Sequence, residues 1–225
     1  MTLTFNDNTV SVVIGGTSGI GAAVAKALTQ RPGRVEIASR ATGLDIADAG
    51  SVASYFRNLG PIDHLVVTAG SSAPGGKVAD IDLDAAKAAF DVKFWGSILL
   101  AREAARYMRP GGTITFTSGF LARRTVPGTF VKTAMNAALE AVAKILAREL
   151  APLRVNVVSP GLTQTEAYAG MADDARDTMF DRAAATLPAG RFGQPQDIAH
   201  GYLFAIDNPF VTGSVIDIEG GALIN

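Results

Sequence analysis

The chain contains no cysteine, which excludes disulfide bonds and any chemistry that depends on a thiolate. Its two histidines, His64 and His200, are too few and too scattered to suggest a metal site. The formal net charge is only −1, so the composition does not point to nucleic acid or to an anionic membrane surface. We therefore expect no metal, no nucleic acid and no membrane among the partners of this protein.

Long apolar runs are also missing. The segment Met1 to Asn8 is polar and lacks the apolar core of a signal peptide, and no apolar run is long enough to span a bilayer. These absences predict a cytoplasmic protein. The length of 225 residues and the hydrophobic content of 48% suit one α/β domain over residues 1–225, with a large core.

A glycine-rich turn between a strand and a helix is the most informative local pattern. The stretch from Val10 to Gly21 begins as an apolar, β-branched run and breaks into glycines, and a predicted helix follows at Ile20–Gln30. The glycines at positions 15, 19 and 21 have the spacing G-x-x-x-G-x-G. Such a turn lets the backbone approach a phosphate closely, and the helix end adds unpaired N–H groups and a positive dipole. The alternative is a glycine-rich turn that binds nothing.

This spacing resembles the turn of the short-chain dehydrogenase/reductase family, T-G-x-x-x-G-x-G, with Ile14 in place of the threonine. Further segments resemble the family in the same order over almost the whole chain. They are Thr68–Gly70 at the end of a predicted strand Ile62–Ala69, Ser118–Gly119 after a strand Thr113–Thr117, Pro160–Thr165 after a strand Arg154–Val158, Arg191–Ala199, and Val211–Gly221. The resemblance implies a Rossmann-like, doubly wound parallel sheet in a three-layer α/β/α arrangement.

The resemblance also implies a nicotinamide cofactor and the residues that hold it. The family positions that contact this cofactor are matched here by Gly15, Thr17, Ser18, Gly19, Ile20, Gly21, Asp45, Ile46, Ala69, Gly70, Lys132, Pro160, Gly161, Leu162, Thr163 and Thr165. The pair Asp45–Ile46 resembles the family residues that bind the adenine amino group and cover the ring. Alternatively, Asp45 caps a helix that starts near Asp48.

Ser39 and Arg40 follow a predicted strand, Arg34–Ala38, at the point where a dinucleotide fold meets the adenosine ribose. An acidic residue there would repel a 2′-phosphate, whereas a hydroxyl and a guanidinium suit one. These residues predict NADP(H) in preference to NAD(H). The alternative is an exposed arginine at a strand end.

The connection after this strand is unusually short, because only four residues separate Arg40 from Asp45. A parallel crossover needs a dozen or more residues and usually contains a helix. We therefore predict that the helix which the family places between its second and third strands is missing. The third strand itself is predicted to be a stub or absent.

The catalytic pattern is the part of the resemblance that fails. The family begins its active-site helix, here predicted at Thr129–Leu150, with Tyr-x-x-x-Lys. Alignment without gaps puts Lys132 in the Tyr place and Asn136 in the Lys place. In a second predicted helix, Asp84–Met108, Lys93 occupies the place of the family Asn. The tyrosines at positions 55, 107, 168 and 202 match no motif position.

Three functions are compatible with this pattern. The first is an NADP(H)-dependent oxidoreductase of a small carbonyl or alcohol substrate, in which Ser118 holds the carbonyl oxygen, Lys132 delivers the proton and Asn136 bonds a ribose hydroxyl. Burial and a neighbouring cation, here Lys93, make a lysine a better acid. The second is an NADP(H)-binding sensor or regulatory protein with little or no dehydrogenase activity. The third is lyase or isomerase chemistry through a Schiff base on Lys132, which is otherwise a solvated residue.

Two further segments carry predictions about the surroundings of the site. Glu166–Thr186 is polar and alanine-rich, and we predict a helical lid from which Tyr168 and Met171 reach the pocket. Arg123 and Arg124 are either a solvated charge pair or contacts to an anionic substrate.

The two long alanine-rich helices, Asp84–Met108 and Thr129–Leu150, resemble those by which the family forms dimers and tetramers. We therefore expect a homodimer or homotetramer. Trp95 is assigned to the core or to a subunit interface in preference to a substrate contact, and His64 is interpreted as a surface histidine in preference to a ligand.

Overall fold

Six parallel strands build one sheet, and the computed structural model describes residues 5–70 and 72–225 of the chain. The strands lie side by side in the order β2-β1-β3-β4-β5-β6. Their bounds are β1 (Val10–Ile14), β2 (Arg34–Ala38), β3 (Ile62–Val67), β4 (Met108–Thr117), β5 (Arg154–Pro160) and β6 (Val215–Ile218). The direction of winding reverses at β1, which has β2 on one side and β3 on the other. This reversal opens a crevice at the carboxyl ends of β1 and β3.

Helices cover both faces of the sheet. Their bounds are α1 (Gly19–Leu28), α2 (Ala49–Leu59), α3 (Leu83–Phe90), α4 (Gly96–Ala104), α5 (Phe130–Glu149), α6 (Asp173–Thr186) and α7 (Pro195–Asp207). Short 3-10 turns lie at Arg40–Thr42, Phe120–Ala122 and Glu166–Tyr168. One apolar cluster joins the sheet to α2, α4 and α5, and a second joins the opposite face to α1 and α7. The predicted three-layer, doubly wound α/β/α fold is confirmed.

The core follows from the pleat of the central strands, whose successive side chains point to opposite faces. Val12 and Ile14 pack into the cluster of α2, α4 and α5, whereas Val13 between them packs against α1 and α7. Every residue of β1 and of β3 is buried. Strands that are covered on both faces require this nearly continuous apolar sequence.

The short connection after β2 is also confirmed. The chain makes one 3-10 turn at Arg40–Thr42 and then runs through Leu44 and Ile46 to α2, with no strand between β2 and α2. Leu44 and Ile46 are buried in the larger cluster and fix this connection against the sheet. A Cβ atom built on Gly96 of α4 would lie 3.0 Å from the Ile46 carbonyl oxygen, so the connection packs closely on that helix.

The helix predicted at Asp84–Met108 is interrupted in the structure. A π-helical segment, Asp91–Trp95, separates α3 from α4, and Met108 already belongs to β4. A π-helical turn holds more residues than an α-helical one, so it shifts the face that each residue presents. Lys93 lies within this segment and its side chain is directed into the protein, where it is 7% exposed.

His64 is buried, which corrects its interpretation as a surface histidine. Its Nδ1 atom lies 2.9 Å from Thr113 Oγ1, and its ring stacks on Phe5 at a centroid distance of 5.0 Å. Burial is the largest influence on the imidazole and lowers its pKa to about 4. His64 is therefore a neutral residue of the sheet interior at physiological pH.

Candidate active site

A cavity of about 730 Å³ lies at the carboxyl ends of the central strands, where the winding reverses. It brings together fifteen of the residues predicted to bind the cofactor or to act in catalysis: Gly15, Thr17, Ser18, Gly19, Ile20, Gly21, Ala69, Gly70, Lys93, Ser118, Lys132, Pro160, Gly161, Thr163 and Thr165. Six residues of that prediction do not line it: Ser39, Arg40, Asp45, Ile46, Asn136 and Leu162.

The glycine-rich turn between β1 and α1 is shaped by backbone contacts that leave no room for side chains. A Cβ atom on Gly21 would lie 2.2 Å from the Gly15 carbonyl oxygen. Gly15 itself has a φ of +86°, and a Cβ atom there would lie 2.7 Å from Thr68 Oγ1. Both positions therefore require glycine. The result is a smooth backbone surface at the start of α1.

A carboxylate already occupies the amino-terminal end of α1. The Gly19 N–H donates a hydrogen bond of 2.9 Å to Glu166 Oε2, and Glu166 belongs to the 3-10 turn that follows Thr165. The amino-terminal N–H groups of a helix attract anions because they lack partners within the helix and carry the positive end of its dipole. The contact with Glu166 shows that this end of the cavity accepts an anionic oxygen. The turn therefore fits the pyrophosphate of a dinucleotide.

The adenosine end lies beyond the cavity, at the carboxyl end of β2. Arg40 is exposed and makes no ion pair within the described residues. The hydroxyl of Ser39 is buried and has no hydrogen-bond partner there. A guanidinium in solvent beside an unpaired hydroxyl is compatible with binding of a phosphate.

Asp45 does not cap the following helix, so that alternative is wrong. Asp48 is the capping residue of α2, and its side chain accepts a hydrogen bond of 2.6 Å from the Ser51 N–H. Asp45 is exposed and accepts a hydrogen bond of 2.9 Å from the Ala47 N–H. Its neighbour Ile46 is buried in the core.

Two lysines line the cavity. Lys93 Nζ donates a hydrogen bond of 3.4 Å to the carbonyl oxygen of Ser118, and Lys132 is exposed on the first turn of α5. Burial, and secondly the charge of Lys132, lower the pKa of Lys93 to about 8. The backbone of Lys93 also packs on Gly70, where a Cβ atom would lie 2.8 Å from Lys93 Cα. The sequence predicted this proximity of the two lysines, and the structure assigns the perturbed pKa to Lys93.

Ser118 does not present a proton to the cavity. Its hydroxyl donates a hydrogen bond of 2.8 Å to Glu140 Oε1 on α5. Glu140 also accepts from Arg123, whose Nε atom lies 3.1 Å from Oε2. A substrate carbonyl oxygen is an acceptor and needs a donor, so this arrangement does not support the role predicted for Ser118.

Arg123 is exposed, as expected for a solvated charge, but both arginines also have partners within the protein, and the contact with an anionic substrate stays a prediction. Arg123 bridges Glu140 and Asp217, with its Nη1 atom 2.8 Å from Asp217 Oδ2. Arg124 donates hydrogen bonds to the Ala222 carbonyl oxygen and to Asn225 Oδ1. Both arginines therefore tie the loop after β4 to the carboxyl-terminal segment.

Asn136 lies behind the wall of the cavity. A Cβ atom on Gly119 would lie 2.9 Å from Asn136 Nδ2, and Asn136 Oδ1 is buried without a partner in the described part of the chain. The side chain is thus placed against the loop that follows β4. The predicted contact with a ribose hydroxyl is untested by this arrangement.

The segment predicted to be a lid forms the 3-10 turn Glu166–Tyr168 and α6, and it contributes Tyr168 to the cavity. Tyr168 lines it, and its ring packs edge to face on Phe180 of α6 at a centroid distance of 5.6 Å. Burial raises the pKa of the Tyr168 phenol. Met171, which was also predicted to reach the pocket, does not line it.

Comparisons with known proteins give the same assignment as the geometry. A family model described as enoyl-(acyl carrier protein) reductase matches residues 14–222. The short-chain dehydrogenase/reductase ATR9 of Stachybotrys chlorohalonatus is 31% identical over an alignment of 249 positions, gaps included. The alignment covers 95% of this chain and 96% of that one. This chain belongs to the short-chain dehydrogenase/reductase family. A second relative of this chain is carbonyl reductase family member 4 of Danio rerio, which is 30% identical over 94% of this chain and 97% of its own length.

Solved structures extend the comparison for this short-chain dehydrogenase/reductase. A small-chain dehydrogenase in complex with NADPH is 57% identical, with a TM-score of 0.96 over 97% of this chain and 100% of the other. The MalC reductase/Diels-Alderase from Malbranchea aurantiaca is 27% identical, with a TM-score of 0.83 over 98% of each chain. The fold and family of this oxidoreductase are therefore shown.

Several cavity residues of this short-chain dehydrogenase/reductase were missed by the sequence analysis. They are Thr68, Ser72, Ala73, Thr117, Glu166 and Ala167. Most of them directly adjoin a motif that was recognised, so continuing each motif by one or two residues finds them. Within residues 5–70 and 72–225, no group of three His, Cys, Asp or Glu could hold a metal, and no helix has the length and apolarity to cross a bilayer.

Proposed function

We propose that this protein is an NADP(H)-dependent oxidoreductase of a small carbonyl or alcohol substrate, with Lys93 as the proton donor. The observation that carries the proposal is the buried Lys93 amine at a cavity that the exposed Lys132 also lines. When bound, the cofactor supplies a hydride from nicotinamide C4. The protein contributes the site, the exclusion of water and the proton for the carbonyl oxygen.

The cofactor preference rests on Ser39 and Arg40. The exposed guanidinium offers paired N–H donors and a permanent charge to a 2′-phosphate. The NADPH complex of the small-chain dehydrogenase, which is 57% identical, supports the same preference. Asp45, exposed near the same edge, remains the candidate for the adenine amino group.

Lys93 suits proton donation better than Lys132, to which the sequence analysis gave this role. A pKa of about 8 leaves Lys93 mostly protonated at neutral pH and still able to release its proton. During reduction the ammonium of Lys93 gives a proton to the carbonyl oxygen while the carbonyl carbon gains the hydride. The neutral amine of Lys93 then regains a proton from solvent. Solvent reaches the cavity beside Lys132, which is exposed.

Lys93→Met tests this role by removing the amine and keeping the length of the side chain. We expect the rate of NADPH oxidation on a panel of small carbonyl compounds to fall by about 10²-fold or more, with NADPH affinity unchanged. The variant should remain folded, because burial disfavours the charged amine that it removes. Lys87→Met, at an exposed lysine of α3, is the matched control.

Tyr168→Phe separates Lys93 from the lid tyrosine, which also lines the cavity. If Lys93 is the donor, this variant keeps its rate within about tenfold, because one phenolic hydrogen bond to the substrate is the most it removes. Undiminished turnover by Lys93→Met, or loss of turnover in Tyr168→Phe alone, would refute the assignment.

A second candidate function is an NADP(H)-binding protein with little or no dehydrogenase activity. The hydrogen bond from Ser118 to Glu140 favours it, because it removes the donor that the family uses at the carbonyl oxygen. This candidate predicts tight NADPH binding without NADPH oxidation across the same carbonyl panel. Both candidates predict that NADPH binds in a titration, and only the oxidoreductase predicts that NADPH is oxidised, so the rate of NADPH oxidation separates them.

Assembly as a homodimer or homotetramer stays a prediction, as does the cytoplasmic location. Trp95 is 59% exposed, so of its two predicted environments only a subunit interface remains. Ile145 on α5 is also an exposed large apolar residue. Both lie on the helical segments that the family uses for association.

A further inference from the structure

Among the described residues, no carboxylate is paired with either lysine of the cavity. The hydrogen bond that Lys93 Nζ makes there goes to a main-chain carbonyl oxygen, that of Ser118. Neither Lys93 nor Lys132 forms an ion pair with any residue in the ranges 5–70 and 72–225. By contrast, Arg123 of the neighbouring loop is paired with two carboxylates.

The acidic groups near the cavity are held elsewhere. The titratable side chains that line it are Lys93, Lys132, Glu166 and Tyr168. Glu166 accepts a hydrogen bond from the Gly19 N–H. Glu140 accepts a hydrogen bond from the Ser118 hydroxyl and is paired with Arg123. In the described part of the chain, neither carboxylate is paired with either ammonium group.

Two neighbouring cations, one of them buried, cost free energy unless an anion compensates them. In the free protein this free-energy cost appears as the lowered pKa of Lys93, because losing the proton removes one of the two charges. An anion bound to Lys132 would offset its charge and favour the protonated form of Lys93. The donor would then carry its proton when the substrate is present.

We propose that the substrate is an oxo acid, whose carboxylate binds Lys132 while its carbonyl oxygen faces Lys93. This inference rests on the proposed function and adds the chemical class of the substrate. Lysine presents a single point charge, which suits one carboxylate. The step is balanced because the carbonyl carbon takes a hydride, the oxygen takes the Lys93 proton, and the product is a hydroxy acid.

Matched acids and esters test the inference. We would compare kcat/KM for pyruvate with methyl pyruvate, and for acetoacetate with ethyl acetoacetate, at saturating NADPH. The wild type should prefer each acid by about tenfold or more, as expected for a charge-assisted contact. Lys132→Met should remove this preference by lowering only the value for the acid. Lys132→Arg should retain most of it, and Lys144→Met, at an exposed lysine on the same helix, should change nothing.

Binding of unreactive anions keeps this test separate from the test of the proposed function. Oxamate and malonamate, with neutral oxamide and malonamide as controls, would be titrated into the NADPH complex and into the free protein. The inference predicts that at least one acid binds, that neither amide does, and that Lys132→Met weakens binding about tenfold or more. If no carbonyl compound is reduced but the acids bind in this way, the proposed function fails and the anion site stands.

Three results would overturn the inference. One is equal use of acids and esters by the wild type, and another is no binding of either acid. The third is a Lys132→Met variant that loses affinity for NADPH and not for the acids. In that case the anion that Lys132 binds belongs to the cofactor.

Discussion

Replacing Glu166 with glutamine should make the protein bind NADPH more tightly. Glu166 Oε2 accepts a 2.9 Å hydrogen bond from the Gly19 N–H at the start of α1, where the cofactor pyrophosphate is expected. The phosphate must displace this carboxylate before it can bind. Glutamine keeps the size of the side chain and its hydrogen-bonding capacity, and it removes only the negative charge.

The size of the effect follows from two terms. A hydrogen bond to a charged group contributes about 1.5–3 kcal/mol and a neutral one about 0.5–1.5 kcal/mol. Because Glu166 is exposed, we take the lower end of each range, about 1.5 and 0.5 kcal/mol. Their difference means that the phosphate displaces glutamine more easily than glutamate by about 1 kcal/mol. Repulsion between a displaced carboxylate and a phosphate about 8 Å away in water adds about 0.5 kcal/mol. The Kd for NADPH should therefore fall about tenfold.

Fluorescence titration with NADPH at low and high salt checks this prediction. The repulsive term should fade at about 1 M salt, where the screening length is only about 3 Å, and the hydrogen-bond term should persist. Asp173→Asn removes an exposed lid carboxylate outside the cavity and is the matched control. An unchanged or raised Kd in Glu166→Gln would show that the carboxylate does not compete with the cofactor.

Three further predictions concern the cofactor site and the proton donor. Gly21→Ala places a Cβ atom 2.2 Å from the Gly15 carbonyl oxygen. The variant should therefore have a lower melting temperature and bind NADPH about tenfold or more weakly. In the control Gly170→Ala the added Cβ atom meets open space, so neither quantity should change. Arg40→Glu should raise the Kd for NADPH about tenfold or more and leave that for NADH nearly unchanged; equal losses for both cofactors would contradict a 2′-phosphate contact. In the reductive direction, kcat/KM for the carbonyl substrate should fall as the pH rises through about 8, because Lys93 of the free protein then loses the proton that it donates; a flat profile between pH 6 and 9 would contradict this role.

Local patterns in the sequence predicted the parts of the fold that depend on chain length and periodicity. The missing crossover after Arg40 followed from counting residues, because four residues cannot hold a helix. The strand–turn–helix around the glycines followed from their spacing after an apolar run, and β1 and α1 confirm it. Its contacts with Thr68 and Glu166, which are distant in the chain, could not be predicted in this way.

Contacts between distant residues decided what the sequence could not show. The hydroxyl of Ser118 is bound to Glu140, 22 residues away on α5, and no local pattern indicates this partner. The burial of His64 depends on Phe5 and Thr113, which come from other parts of the chain. The π-helical turn around Lys93 adds residues to a helix without disturbing the apolar spacing enough to be recognised.

The short connection after β2 has a consequence for association between molecules. Since no further strand follows on that side within the described residues, β2 is the edge of the sheet there. The strand is only five residues long and carries an ion pair between Arg34 and Glu36, with Ile37 partly exposed beside it. Short length and charge are the features by which natural sheets discourage edge-to-edge aggregation. We therefore expect Arg34 and Glu36 to oppose pairing of two molecules along this edge.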